Sequence, residues 1–281
     1  MNIKRLYPNG KKKAATFSFD DGHDADIPLL QIFNKYGAKG TFNIPSFNMP
    51  QDENCEKYKS LAPLYEGHEI ASHSFHHKHM CTLSHEENVR EIADDIAFLS
   101  KAFGQNIRGY ASPFGEYNEE ILGILAENGI CYHRNVNLDK TFSLPERFLD
   151  WTPGPHFAYY SSAAGREYLH SFLATDKELA CLYVWGHSFE VVKEGYELTG
   201  LWNGLASAEK RWDYIENELI KPLAGCGDVW FATNIEIYDY ITAMRSCTVG
   251  NGSVSNPSDT ELWFEFDGTA KVLKPHETVN I

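Results

Sequence analysis

The sequence lacks paired cysteines. Its six cysteines are scattered along 281 residues, and no two of them form a Cys-x-x-Cys pair. This absence argues against a cysteine-based metal or redox motif. Cys131 and Cys181 lie inside apolar, strand-like runs where a reduced core thiol fits. We therefore expect reduced cysteines at all six positions, which are Cys55, Cys81, Cys131, Cys181, Cys226 and Cys247.

Long apolar runs are also missing. No segment approaches eighteen consecutive apolar residues, so the sequence predicts no membrane-spanning helix and no membrane partner. The N-terminal stretch MNIKRLYPNGKKK is positively charged, but no apolar run of the kind found in signal peptides follows it. Together with the reduced cysteines, this predicts a cytoplasmic location, unless a leader has been removed.

Positive charge is scarce. The chain has 25 Lys and Arg against 39 Asp and Glu, which gives a formal net charge of −14. Apart from residues 11–13, nothing resembles a basic stripe, so nucleic acid is not an expected partner. With 43% hydrophobic residues, the chain is long enough to bury the large core of a single α/β barrel.

Apolar, β-branched runs alternate with segments of helical period, as in parallel strands joined by helices. The candidate strands are residues 14–19, 39–44, 68–72, 107–112, 130–134, 147–151, 180–186 and 228–233. Eight candidates favour a barrel over an open sheet. We predict an α/β protein with a distorted (β/α) barrel of seven or eight parallel strands.

The clearest helix begins after Ser84, which forms a capping-box pattern with Glu87, and ends at Gly104. Its apolar face consists of Val89, Ile92, Ile96, Leu99 and Phe103. Other helices are predicted at about residues 118–128, 165–175, 207–223 and 236–245.

The residue pattern of the sequence changes from helical to turn-rich after Arg245. A turn-rich connector precedes residues that alternate like strands, and Asp267-Gly268 is a hairpin signal. We predict that residues 1–245 form the barrel. Residues 246–281 are predicted to form a short β-hairpin extension, which is too short to be stable alone and packs on the barrel.

HSFHHKH, residues 73–79, contains four of the twelve histidines. Histidines four apart on a helical turn lie on one face, so one cation reaches both rings. Only His73 and His77 have this spacing, and His76 and His79 are expected to be bystanders or pocket lining. Such a pair alone is more often a surface accident, so a metal site needs a third ligand.

TFSFDDG, residues 16–22, offers that ligand, because a strand ends there in Asp20 and Asp21. The C-terminal ends of barrel strands converge on one rim, so either carboxylate would face the pocket of the histidines. Two histidines and one carboxylate leave coordination positions open for water and substrate, as catalytic zinc sites require.

Two further motifs follow candidate strands on the same rim. YVWGHSFE places His187 just past a strand, and YASPFG forms a loop that could aim the Phe114 amide into the pocket. Singly, each is an ordinary turn. In their order along residues 14–245, the four motifs resemble those of the polysaccharide deacetylase family, carbohydrate esterase family 4, also known as the chitooligosaccharide deacetylase homology domain.

The resemblance implies a role for each motif. Asp20 would be the general base and His187 the general acid, and the Phe114 amide would help to form an oxyanion hole. A divalent metal, zinc above all with cobalt, nickel or manganese as alternatives, would bind Asp21, His73 and His77. These residue types suit an attack by metal-activated water on an acetyl group.

The resemblance also leaves positions open. Ala111 stands where the family usually has an arginine that orients the base, and Arg134 is a candidate to reach the same carboxylate. Three acidic residues compete to support His187, namely Asp150, Glu190 and Glu236. Candidates to bind or position the saccharide are Pro113, Gly115, Trp151, Trp185 and His156, since aromatic faces suit pyranose rings.

The expected function is metal-dependent deacetylation of an acetylated oligosaccharide or polysaccharide. Two alternatives keep the same fold, a cyclic amide or ureide hydrolase of the allantoin type and a saccharide-binding relative without turnover. An iron oxygenase could use the same ligand types, but the βα alternation argues against it. The oligomeric state is not predicted.

Overall fold

The computed structural model describes residues 3–48, 61–195, 200–250 and 252–280. Five cysteines lie in these ranges as free thiols, and Cys55 lies outside the described residues. Within the same ranges, no helix is both long and apolar enough to cross a membrane.

A curled sheet of seven parallel strands forms the centre of the molecule. The first strand of the chain, β1 (Ile3–Leu6), lies outside this sheet, whose members are β2 (Lys13–Asp20), β3 (Gly40–Ile44), β4 (Glu69–Ser72), β5 (Gly109–Ala111), β6 (Tyr132–Arg134), β7 (Ala180–Gly186) and β8 (Val229–Phe231). Their order is β6-β5-β4-β3-β2-β7, and β8 pairs with the first half of β2. Every residue of β2 is buried, as expected for a strand covered on both faces. The predicted distorted (β/α) barrel is confirmed.

The predicted strand at residues 147–151 is wrong. Phe148–Asp150 forms a 3₁₀ turn, and Trp151 makes only an isolated parallel bridge with Arg134. Further along, His156 makes a second isolated bridge with Trp185. Residues 151–156 therefore span the gap between the outer edges of β6 and β7. Two prolines in this segment lack the N–H groups that a continuous ladder needs.

Helices cover the sheet. They are α1 (Asp26–Tyr36), α2 (His85–Phe103), α3 (Glu119–Glu127), α4 (Ala163–Ala174), α5 (Phe189–Val192), α6 (Ala208–Tyr214), α7 (Lys221–Gly225) and α8 (Asn234–Ser246). The predicted capping box is present, because Ser84 Oγ accepts from the Glu87 amide and the Glu87 carboxylate accepts from the Ser84 amide. Gly104 ends α2 in a left-handed conformation. Sequence reasoning missed α1 and the π-helical turn Ile215–Ile220 that joins α6 to α7.

The C-terminal residues form short antiparallel strands. They are β9 (Thr248–Gly250), β10 (Ser253–Ser255), β11 (Leu262–Phe266), β12 (Thr269–Leu273) and β13 (Thr278–Asn280). The turn at Asp267-Gly268 joins β11 to β12, and β1 pairs with the other edge of β11. A second sheet has the order β13-β10-β9. The extension therefore shares a sheet with the start of the chain, and its apolar residues join a core cluster with residues of β2 and α8. The domain boundary at residue 245 stays a prediction.

Candidate metal centre and catalytic site

The strand ends of the barrel bring the predicted residues to one rim. Asp20 ends β2 and Arg134 ends β6, while His73 follows β4 and His187 follows β7. In a parallel barrel these carboxyl ends face the same side, where binding sites are built from the loops that follow them.

Asp21, His73 and His77 lie together as a possible cation site, and their ligand atoms are all within 4.8 Å of one another. Oδ1 of Asp21 is 3.7 Å from Nε2 of His73 and 3.5 Å from Nε2 of His77. Ligand atoms bonded tetrahedrally to zinc at about 2.0–2.1 Å are separated by about 3.3 Å. The set therefore fits a small divalent cation in both ligand type and spacing.

The helical turn expected for the histidine segment is wrong. Residues 73–79 form no helix, and Ser74 and His77 have positive φ angles of 60° and 52°. Contacts with α2 fix the segment instead, since the Phe75 amide donates to the Glu91 carbonyl and the His76 amide donates to the Glu91 carboxylate. The rings of His73 and His77 nevertheless lie 4.8 Å apart between their centroids.

His73 is held in the form that binds metals. Its Nδ1 lies 2.7 Å from the Ala111 carbonyl oxygen, to which it can only donate, so Nε2 is left free to face Asp21. The side chain is almost completely buried. Burial lowers the pKa of His73 to about 4, although the carboxylates of Asp20 and Asp21 act in the opposite direction. A neutral imidazole is the ligand form of histidine.

The other two histidines of the segment face elsewhere. Nδ1 of His76 is 2.8 Å from Oε1 of Glu91. His79 contacts Glu116, and its ring is stacked on that of Phe114 at 4.0 Å between centroids. Phe114 has a positive φ of 56° and is 53% exposed, with its ring edge-on to His77. His79 therefore supports an aromatic side chain at the rim.

Asp20 is a buried carboxylate that accepts three hydrogen bonds from two side chains. Nη2 of Arg134 donates to both of its oxygens, at 2.6 Å from Oδ2, and Asn43 Nδ2 donates to Oδ1 at 2.8 Å. Burial opposes ionisation of Asp20, but Arg134 and the nearby His73 and His187 outweigh it and lower the pKa of Asp20 to about 2. Sequence reasoning missed Asn43, whose signal was a polar residue near the end of an apolar strand.

Arg134 is itself fully buried, and its guanidinium lies over the Trp185 ring at 5.1 Å from the centroid. Among the described residues, its Nε and Nη1 atoms have no hydrogen-bond partner. The aromatic face and the Asp20 carboxylate therefore balance its charge.

The ring of His187 approaches both carboxylates. Its Nε2 lies 4.0 Å from Oδ2 of Asp20 and 3.9 Å from Oδ2 of Asp21, while Nδ1 lies 3.3 Å from Oε1 of Glu190. Burial disfavours the charged ring, but the Glu190 hydrogen bond and the nearby carboxylates together raise the pKa of His187 above its ordinary value. Burial likewise disfavours the charged form of Glu190, and the contacts with His156 and His187 override it and lower the pKa of Glu190 to about 2.

Of the three acidic residues considered as support for His187, Glu190 is the one in contact with it. Asp150 instead accepts hydrogen bonds from Tyr117 and Asn135. Glu236 caps α8 and pairs with Lys39. Neither of these two is a supporting residue.

The residues considered for saccharide binding separate into two groups. Trp151 is 1% exposed and packs edge-on against Tyr132, Phe148 and Tyr183, so its expected place in a groove is wrong. Pro113 is buried, and a Cβ at Gly115 would collide with Val136, so both shape the loop. Trp185 borders a cavity of about 300 Å³. Its walls also include Val136, Leu138, Lys140, Pro155, His156 and Tyr159.

Two carboxylates and three histidines thus lie on the carboxyl rim of one barrel, the side on which (β/α)-barrel active sites are built. Residues 7–133 match the family model described as polysaccharide deacetylase. The four ordered motifs lie on the rim of the same barrel. Residues 7–133, just under half of the chain, are therefore similar to the polysaccharide deacetylase family, carbohydrate esterase family 4.

Curated relatives match part of the chain. A chitin deacetylase from Arthroderma benhamiae is 33% identical over 129 residues, which are 43% of this chain and 33% of that protein. A peptidoglycan-N-acetylglucosamine deacetylase from Bacillus cereus is 28% identical over 124 residues, 43% of this chain and 55% of the relative. The chain thus spans from a third to just over half the length of these relatives.

Solved structures share the fold. A Mycobacterium smegmatis protein assigned to the polysaccharide deacetylases has a TM-score of 0.59 and 18% identity, covering 86% of this chain and 94% of its own. A Bacillus anthracis pseudoenzyme of the same esterase family has a TM-score of 0.51 and 16% identity, covering 84% of this chain and 68% of its own. At this identity the likeness concerns the fold alone.

Proposed function

We propose that this protein is a metal-dependent hydrolase that removes acetyl groups from an acetylated oligosaccharide or polysaccharide. The observation that carries the proposal is the approach of His187 to within 4.0 Å of both Asp20 and Asp21, since it gathers an acid, a base and a cation site around one space. Two curated relatives are named for the deacetylation of chitin and peptidoglycan, which supports an N-acetyl group as the first substrate to test.

Asp21, His73 and His77 would hold the cation. When bound, a divalent metal such as zinc polarises the acetyl carbonyl and lowers the pKa of a water molecule. Asp20 is kept ionised by Arg134 and accepts the proton of the attacking water. His187 delivers a proton from Nε2 to the departing amine or alcohol.

Two further groups complete the reaction site. The Phe114 amide donates to the oxygen that becomes negatively charged during the attack. Arg134 holds Asp20 in one orientation through contacts with both carboxylate oxygens. Acetate and a free amine or hydroxyl are the products.

Acetate release tests the proposal. Purified protein is incubated with acetylated chitooligosaccharides, peptidoglycan fragments and acetylated xylooligosaccharides, and metal content is measured on the same samples. We expect activity on at least one substrate, its loss on chelation, and its return with added zinc or cobalt. Asp20→Asn is the matched variant and is expected to retain metal while losing at least about a hundredfold in turnover.

Two outcomes would contradict the proposal. One is a metal-loaded protein that releases no acetate from any of the three substrate classes. The other is a protein that opens a cyclic ureide in place of releasing acetate, which would assign the same site to ring-opening hydrolysis. An Asp20→Asn variant with unchanged turnover would remove the base from the mechanism.

A further inference from the structure

A second histidine stands behind the proposed acid. His156, Glu190 and His187 form a cluster whose ligand-type atoms lie within 4.8 Å of one another. We propose that His156 and Glu190 form a positioning pair, in which His156 fixes Glu190 and Glu190 fixes the ring of His187. The inference rests on the proposed function, because it assigns the pair to the orientation of the acid.

The contact between Glu190 and His187 determines which ring nitrogen exchanges a proton. Oε1 of Glu190 lies 3.3 Å from Nδ1 of His187, and an ionised carboxylate can only accept. Nδ1 of His187 therefore keeps its proton. Nε2, which faces Asp20 and Asp21, is left as the atom that gains and loses one.

The His156 ring carries its proton on the nitrogen that faces Glu190. Its Nδ1 accepts a hydrogen bond from the Ala158 amide at 3.3 Å, so the ring proton is on Nε2. Nε2 of His156 lies 2.8 Å from Oε2 of Glu190. The ring of His156 therefore lies directly against the carboxylate and restrains its orientation toward His187.

The surrounding chain fixes both members of the pair. The isolated bridge to Trp185 holds the His156 backbone, and its ring is perpendicular to the Trp185 ring at 5.2 Å between centroids. A Cβ at Gly186 would lie 2.7 Å from Nε2 of His156, so the glycine before His187 leaves room for the ring. The Glu190 carbonyl accepts from Nε1 of Trp202 at 3.0 Å, which fixes α5.

This arrangement explains why Asp150 is not needed to support His187. Asp150 is bound to Tyr117 and Asn135, away from His187. Glu190, in the first turn of α5, lies three residues after His187 and reaches its Nδ1 atom. His156 supplies the second restraint from residues 151–156.

A double-mutant cycle tests the pair. Glu190→Gln is expected to lower kcat about a hundredfold and His156→Phe about tenfold, with KM within about twofold in both. Because His156 acts through Glu190, the double variant is expected to match Glu190→Gln alone. His156→Gln retains a donor and is expected to recover part of the loss. Metal content should stay unchanged in all four variants.

Additive effects in the cycle would overturn the proposal, since His156 would then act independently of Glu190. A second equivalent of bound zinc that disappears in His156→Gln would also overturn it, because the cluster would then be a cation site. Nitrogen-15 NMR of His187 gives a readout without turnover. We expect a protonated Nδ1 that is lost or exchanges faster in His156→Phe, and an unchanged Nδ1 signal would contradict the pair even if no deacetylation is found.

Discussion

Arg134 and Ala111 are direct partners in the parallel pairing of β6 with β5. The family usually has an arginine at the position of Ala111, whereas here the guanidinium that contacts Asp20 comes from the adjacent strand. Partners in adjacent strands point to the same face and are separated by about 4.8 Å, a distance that an arginine side chain spans. The two positions therefore present their side chains to the same region of the barrel interior.

Moving the arginine back by one strand tests this equivalence. Arg134→Ala is expected to lower kcat at least about a hundredfold and to destabilise the fold by about 3–5 kcal/mol, because Asp20 would be left as an unpaired buried charge. Adding Ala111→Arg to Arg134→Ala is expected to restore at least about tenfold of the lost turnover. Kinetics with parallel urea denaturation separate the two effects. Unchanged turnover in Arg134→Ala would exclude the residue from the site.

The histidine segment offers a matched set for metal analysis. His73→Ala and His77→Ala are each expected to reduce bound zinc by about tenfold or more, because each removes one of three ligands. His76→Ala is the control, since His76 contacts Glu91 and is not part of the cluster around Asp21. Inductively coupled plasma mass spectrometry of dialysed protein measures the ratio. Loss of metal in His76→Ala but not in His77→Ala would refute the assigned ligand set.

Trp151 and Trp185, which both make isolated bridges at the gap between β6 and β7, have separate roles. Trp151→Phe is expected to cost about 1–3 kcal/mol in unfolding free energy and to leave KM unchanged, because the ring is buried in the core. Trp185→Leu is expected to raise KM several-fold, because Trp185 borders the cavity and supports Arg134. Substrate kinetics and urea titrations on both variants decide the matter. A raised KM in Trp151→Phe with an unchanged KM in Trp185→Leu would instead place the saccharide contact at Trp151.

Glu69 gives the fold a pH dependence of its own. Burial raises the pKa of Glu69 to about 7, although hydrogen bonds from the Ile235 amide, Tyr132 and Thr41 act in the opposite direction. The folded state therefore holds this proton more tightly than the unfolded state, whose carboxyl ionises near 4.5. Its contribution to stability is complete below pH 4.5 and is lost as the pH rises to about 7.

Glu69→Gln removes that titration. The stability of the variant relative to the natural chain is expected to increase by up to about 3 kcal/mol between pH 4.5 and 7 and then to stay level. Urea denaturation at half-unit pH steps measures the difference, which also cancels the contributions of other buried acids. A constant difference across this window would show that Glu69 is ionised in the folded protein.

Local patterns predicted most of the barrel because each depends on near neighbours. The capping box and apolar face of α2 lie within twenty-one residues, and the buried strand β2 leads directly to Asp20 and Asp21. The convergence of His73 and His187 on these carboxylates followed from the rule for strand ends alone. His73 and His77 lie close together as their spacing predicts, but no helical turn brings them there. Backbone contacts with Glu91 and residues in the left-handed conformation bring the two rings together.

What the sequence did not reveal depends on contacts between distant segments. The pairing of Ile3–Leu6 with β11 joins two segments that are far apart in the sequence. The hydrophobic periodicity of either segment does not indicate its partner. The apolar, aromatic run at residues 147–151 resembled a strand, but following prolines prevent a ladder. The contact of His156 with Glu190 crosses thirty-four positions and depends on a glycine that leaves space for the ring.

Closure of the barrel by residues 151–156 has a consequence for hydrogen exchange. Two isolated bridges join this segment to β6 and β7, whereas β2 and β7 are paired continuously from Lys13 to Phe19. Regions with few backbone hydrogen bonds open at lower free energy than the central strands. The amides of Trp151 and Asn135 make the hydrogen bonds between this segment and the end of β6. They are therefore expected to exchange before the amides of β2. Because the segment carries His156, each such opening also releases Glu190 and with it the orientation of His187.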